Sequence, residues 1–314
     1  MNTNKLETFA QAARIKLIDL ISRKLDFVLS NTSQSFIDTY SSQLSSLNDK
    51  IKQTSREQVI ETVAYTWFNR LMALRFMDSN GYTLPKVITP LPGMTNPEIL
   101  QNALAWHIEP DLHLDRQRIN DLLDGRTASA DAHTEAYKML IVASCNQWYT
   151  AMPFMFERIS DYTELLLPDD LLSDYSIVAD IRNGMTDEDC QQEEILGWLY
   201  QFYISAENER LIKSKKAYAK HELAPASQLF TPKWIVKYMV DNTLGQLWSE
   251  MNPSTSILRQ LEFYITPAYK DQLTSRTKKR LEEIKFFDPC VGSGHILVYA
   301  FDVFYLMYEE QGYN

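Results

Sequence analysis

Ile284-Lys285-Phe286-Phe287-Asp288-Pro289-Cys290-Val291-Gly292-Ser293-Gly294-His295 joins a short apolar run to a glycine-bearing turn, and an apolar helical pattern, Ile296 to Tyr308, follows it. The first four residues predict a strand, the first clear one in the chain. Glycines let a backbone turn sharply and approach a ligand closely. The helix that follows offers free amides and the positive end of its dipole to an anionic group. A P-loop is excluded, because His295 stands where the phosphate-binding lysine belongs. A dinucleotide turn fits at Gly292 and Gly294 but meets Leu297 at its third glycine position. The plainest alternative is a tight strand-to-helix turn with no ligand.

A second stretch lies upstream: Gln228-Leu229-Phe230-Thr231-Pro232-Lys233-Trp234-Ile235-Val236-Lys237-Tyr238-Met239-Val240. Thr231 can cap a helix and Pro232 suits its first turn. Ile235, Met239 and Val240 then predict its apolar face. Read as motifs, Asp-Pro-x-x-Gly-Ser-Gly resembles motif I of adenine-N6 methyltransferases, and Phe-Thr-Pro-x-x-Ile-Val resembles their motif X, in the order such enzymes use. Two further stretches widen the likeness: Val63-Ala64-Tyr65-Thr66-Trp67-Phe68-Asn69-Arg70-Leu71, and Gly294 through Asp302. Together they resemble the PglX family, the large DNA adenine-N6 methyltransferases of type 1 BREX phage-defence systems, across most of the chain.

The resemblance implies S-adenosyl-L-methionine as cofactor, with Asp288, Pro289, Gly292, Ser293 and Gly294 around its amino-acid portion. Phe230, Thr231 and Pro232 would complete the methionine pocket. It further implies double-stranded DNA as substrate of the intact protein, and other BREX proteins or a phage anti-defence protein as partners. The reactive motif of such enzymes is Asn/Asp-Pro-Pro-Tyr/Phe, whose oxygens accept the hydrogens of the flipped adenine's amino group while its ring stacks on the base. No Pro-Pro dipeptide occurs here, and Asn96-Pro97-Glu98 and Asn252-Pro253-Ser254 do not fit. No catalytic residue is therefore assigned. The expectation is a piece of a longer enzyme, either an excised fragment or the product of a truncated reading frame, inactive alone. A single strand with one helix forms no stable sheet. Residues 284–314 are thus expected to be loosely held, docked on the helical part, or completed by another chain, with Phe301, Phe304, Tyr305 and Tyr308 otherwise exposed.

Outward from these motifs the sequence reads as helices. Apolar residues at Ile15, Ile18 and Ile21 to Leu25 predict one from Ala10 to Leu29. Ser55-Arg56-Glu57-Gln58 is a capping box that opens a second, ending near Asn80-Gly81. Residues 81–97, with four prolines and two glycines, predict a loop. Helical patterns return at 97–106, 115–124, 135–158, where Pro153 should interrupt, and Gln191 to Lys213. The tryptophans and tyrosines of these helices read as core. The predicted fold is mainly α: a helical N-terminal domain over 1–220, then over 221–314 the truncated start of an α/β Rossmann-like methyltransferase domain.

The chain has 314 residues, enough for about two domains. No apolar run approaches the roughly 18 residues of a membrane span, and the N-terminus is amphipathic, so no membrane partner is expected. Three scattered cysteines form neither a disulfide framework nor a CxxC pattern, which points to a reducing, cytoplasmic setting. His107 and His113, near Asp111 and Asp115, read as solvated helix-end residues, and no metal site is assigned. His221-Glu222 lacks the second histidine of a zinc-protease motif. The charge is uneven. Residues 1–200 hold 17 Lys and Arg against 28 Asp and Glu; residues 201–314 hold 14 against 13. Phosphate contacts, which come from Lys and Arg, therefore belong in the C-terminal third. Lys213, Lys215, Lys216 and Lys220 are the candidates there, beside the simpler reading of a solvated helix face. The second functional reading is non-enzymatic: an acidic helical platform for BREX partners or a phage inhibitor.

Overall fold

The computed structural model describes all residues except Met1, Phe154, 157–160, Lys215, Lys220, His221, Gln228, 268–275, Ser293 and Asn314. The chain divides into two compact units, Met1–Ala206 and Glu207–Asn314. The first contains α1 (Thr3–Ser30), α2 (Gln34–Thr39), α3 (Ser41–Gln53), α4 (Arg56–Ser79), α5 (Glu98–Leu104), α6 (Arg116–Leu123), α7 (Ala132–Trp148), α8 (Tyr162–Leu165), α9 (Ile177–Gly184), α10 (Asp187–Cys190) and most of α11 (Ile195–Ser214). The second holds α12 (Leu223–Ser227), α13 (Lys233–Val240), a π-helical turn at Asp241–Gly245, α14 (Gln246–Met251) and α15 (His295–Glu310). No helix among the described residues is long and apolar enough to cross a membrane.

In the first unit α1 buries Leu6, Ala10, Ala13, Leu17, Ile21, Leu25 and Val28, a three-to-four spacing that forms one stripe. That stripe packs against α4 and α9. Ile15, expected on the apolar face, points outward at 68% exposure. Helix α4 is buried nearly all round and is the centre of the unit. Half of its capping box forms, with the Ser55 hydroxyl accepting from the Gln58 amide at 3.2 Å and no return bond from the Gln58 side chain among the described residues. It ends at Asn80, followed by Gly81 at φ +70°.

Three charged side chains of α4 are buried. Arg75 donates to the Met185 carbonyl (3.0 Å), the Thr89 hydroxyl (2.9 Å) and Asp187 (2.8 Å). Asp78 accepts from the amides of Val87, Ile88 and Thr89 and from the Thr83 hydroxyl. The proline-rich loop after α4 is thus tied back to that helix by its own backbone amides. Arg70 lies over the Trp67 ring.

The α/β expectation is overturned: among the described residues there is no β-strand, only an isolated bridge between Pro90 and Pro97. Both units are helical. Residues 284–288 have no regular secondary structure; Ile284 itself is extended, with φ −78° and ψ 122°. The period-two pattern is present, since Ile284 and Phe286 pack on the core of the second unit while Lys285 and Phe287 face out. A strand, however, exists only by exchanging hydrogen bonds with a neighbour, and no described residue supplies one.

Helix α15 is not loosely held. Ala300, Val303 and Met307 are buried with Val236, Val240, Leu244 and Trp248. Phe304 and Tyr308 are half-buried, whereas Phe301 and Tyr305 are exposed. This orientation makes a direct prediction. Met307→Ala should cost about 2–5 kcal/mol as a buried truncation, and Phe301→Ser should stay within about 0.5 kcal/mol. Urea unfolding of both variants checks it; equal losses would mean that the helix is turned differently.

Candidate functional site

The two motif stretches meet in the second unit. Pro232 is the residue before α13, at φ −57° and ψ 146°, and its carbonyl accepts from Ile235 and Val236. The Thr231 side chain does not cap the helix. Its carbonyl instead faces the Nδ1 of His295 at 3.1 Å. Phe230, buried, stacks on the His295 ring with centroids 5.1 Å apart and planes 7° from parallel. Residues 64 apart in sequence are so joined at the start of α15. Val236 and Val240 form the buried face of α13, while Met239, expected there, is exposed.

The turn before α15 is built as its sequence requires. One carboxylate oxygen of Asp288 accepts from the Cys290 amide at 2.8 Å, and the Gly294 amide donates to the Val291 carbonyl at 2.8 Å. Gly292 and Gly294 have φ of +52° and +80°, a left-handed conformation that glycine adopts at no steric cost. A Cβ at Gly294 would meet open space, and one at Gly292 nothing nearer than 3.8 Å, so the glycines leave room above the turn. Pro289 is exposed and Ser293 lies outside the described residues.

Two buried polar atoms of this turn, Asp288 Oδ2 and His295 Nε2, have no hydrogen-bond partner among the described residues. Buried polar atoms are normally satisfied. Space, orphaned acceptors and the amides of a helix start suit a ligand with a charged amino-acid portion, as S-adenosylmethionine has.

Behind the turn, Asp241 and Asn242 hold the site together, and sequence reading missed both. Asp241 is fully buried, accepting the Tyr299 hydroxyl (2.9 Å) and the Phe263 amide (2.9 Å). Burial, and then its bond to Asp241, push the Tyr299 phenol well above its ordinary pKa. Asn242 bonds the Phe263 carbonyl and the Ile265 amide. A polar pair following the apolar residues of α13 was the available signal.

The candidate phosphate contacts are less open than their charge suggests. Lys213 is paired with Glu209 at 2.5 Å, and Arg210 with Glu207 and Glu222. Lys216 is exposed, and Lys215 and Lys220 lie outside the described residues. Among the described residues no cluster of three or more His, Cys, Asp or Glu is placed to hold a metal ion.

No family model matches the chain. It is 33% identical to the adenine-specific methyltransferase BrxX of Escherichia coli O9:H4 (strain HS), and 34% identical to the adenine-specific methyltransferase PglX of Lacticaseibacillus casei (strain Zhang). Both alignments cover the whole of this chain, which spans 28% and 30% of those proteins. The chain is therefore homologous along its full length to under a third of the BrxX and PglX adenine-specific methyltransferases.

Proposed function

We propose that this chain is part of an S-adenosylmethionine-dependent DNA adenine-N6 methyltransferase that marks host DNA in BREX phage defence. Residues 1–220 are its helical N-terminal domain and residues 221–314 carry motifs X and I. The observation that supports this most is the joining of Phe230-Thr231-Pro232 to the Asp288–Gly294 turn through His295, alongside the homology to BrxX and PglX.

In this reading Asp288, Pro289, Gly292, Ser293 and Gly294 border the cofactor, and Phe230, Thr231 and Pro232 close its methionine end. The cofactor supplies an electrophilic methyl group. This chain's part is to hold it: the turn gives amides and an acceptor carboxylate, and the Phe230–His295 stack walls off water. The base-activating residues belong to the whole enzyme, since the chain has no Asn/Asp-Pro-Pro-Tyr/Phe. Double-stranded DNA, other BREX proteins and a phage anti-defence protein are the partners proposed for that whole.

Calorimetric titration of the chain with S-adenosylmethionine tests the reading. Binding is expected, and a Gly292→Asp, Gly294→Asp double variant should lose it, because two carboxylates then fill the space above the turn. A wild-type chain that does not bind would overturn the assignment of a cofactor pocket to these two motifs.

A further inference from the structure

Two orphaned atoms on one turn can be read by their hydrogen-bonding sense. A carbonyl oxygen only accepts, so the contact between Thr231 and His295 requires the proton to sit on Nδ1. In the neutral ring Nε2 is then a bare acceptor, because one nitrogen's partner fixes the role of the other. Asp288 Oδ2 is a carboxylate oxygen and also an acceptor. Two acceptors cannot satisfy one another; both await a donor. Leaving such groups buried and unmet is costly, and the stack on Phe230 keeps the imidazole from swinging away to find water.

Resting on the cofactor reading above, we propose that His295 is a positioning residue for the methionine end of S-adenosylmethionine, its Nε2 accepting a hydrogen bond from the α-ammonium group. An ammonium has three N–H donors and a positive charge, so it can serve Nε2 and Asp288 together. A ribose hydroxyl has one hydrogen and no charge, and would leave one acceptor unmet. His295 thus does two jobs with one ring. Nδ1 ties the turn to the chain before α13, and Nε2 reads the ligand's amino group. Sequence reading assigns position 295 no such role; it only rules out a P-loop lysine.

The test is a double cycle on the full chain, removing the acceptor from the protein and the donor from the ligand. His295→Asn keeps an N–H at the place of Nδ1, and so the bond to Thr231, but has nothing at Nε2. Calorimetry compares S-adenosylhomocysteine with its α-desamino analogue. His295→Asn should weaken S-adenosylhomocysteine about tenfold and leave the desamino analogue within about twofold. Equal weakening of both ligands, or of neither, overturns the proposal while leaving the pocket standing. Nitrogen-15 NMR of the unliganded wild type gives a second readout independent of the variant's folding. The Nδ1–H tautomer is expected, and an Nε2–H tautomer overturns the proposal. A wild-type chain that binds neither ligand removes the pocket itself, a different failure from either of these.

Discussion

Asp78→Ala is expected to destabilise the first unit by about 3–5 kcal/mol, because it leaves several buried donors unmet at about 1–3 kcal/mol each. The carboxylate holds the Val87, Ile88 and Thr89 amides at 2.9, 2.7 and 2.8 Å, besides the Thr83 hydroxyl. Alanine would leave three amides without an acceptor, two of them on fully buried Val87 and Ile88, and each would carry its desolvation cost. Asp78→Asn should fall between, since it keeps one acceptor oxygen and turns an amino group toward the same donors. Denaturant unfolding measures both variants, and protease sensitivity at residues 82–89 should rise with them. A loss under about 1 kcal/mol for alanine would mean that the loop is held by its packing instead. Burial raises the Asp78 carboxyl pKa, and the four donors only partly offset it. Folding therefore takes up a proton here, and this group's contribution to stability falls as pH rises from 3.8 through the raised value.

Glu310 is the opposite case, and the second large effect. It closes α15 by accepting from the Trp248 indole (2.9 Å), the Thr255 hydroxyl (2.7 Å) and the amide and hydroxyl of Ser256 (2.6 and 2.9 Å). Burial pushes its pKa up, but these donors prevail and hold it at about 2, against an ordinary 4.5. A depressed acid contributes stability above 4.5 that is lost as pH falls toward 2. Glu310→Ala should therefore cost the second unit about 2–3 kcal/mol at neutral pH, reduced from the full shift because the group is partly solvated. The gap between variant and wild type should close on acidification from pH 4.5. Unfolding curves at about pH 7 and pH 3 decide it; a gap that persists undiminished at the lower pH would show that the carboxylate's charge is not what ties these loops.

The ends of α4 were legible because caps are local: Ser55 and Gly81 act within a turn of themselves. The facing of α1 was not, because the surfaces it meets, α4 and α9, come from far along the chain. Nothing near Ile15 shows that Ala10 and Ala13 are the ones pressed inward. The aromatic residues divided: Trp67 and Trp248 are core, while Trp106 and Trp234 are exposed. The strand expected at Ile284–Phe287 failed for a different reason. Alternation is written in four residues, but pairing is a property of two segments, and only one is present among the described residues. At the candidate site the motifs could be read as text, glycines included. The cross-links could not. His295 to Thr231 spans 64 residues and Tyr299 to Asp241 spans 58, separations that no local pattern announces.

The long-range packing of α1 also sets a timetable. Chains leave the ribosome from the N-terminus at about 5–20 residues per second. Helix α1 is complete by Ser30, but α9, one of the two surfaces that cover its stripe, ends only at Gly184. For something on the order of 10–30 seconds a newly made α1 therefore displays its apolar stripe only partly covered. That interval, rather than the finished fold, is when this part of the molecule is most open to capture by a chaperone or by a neighbouring nascent chain.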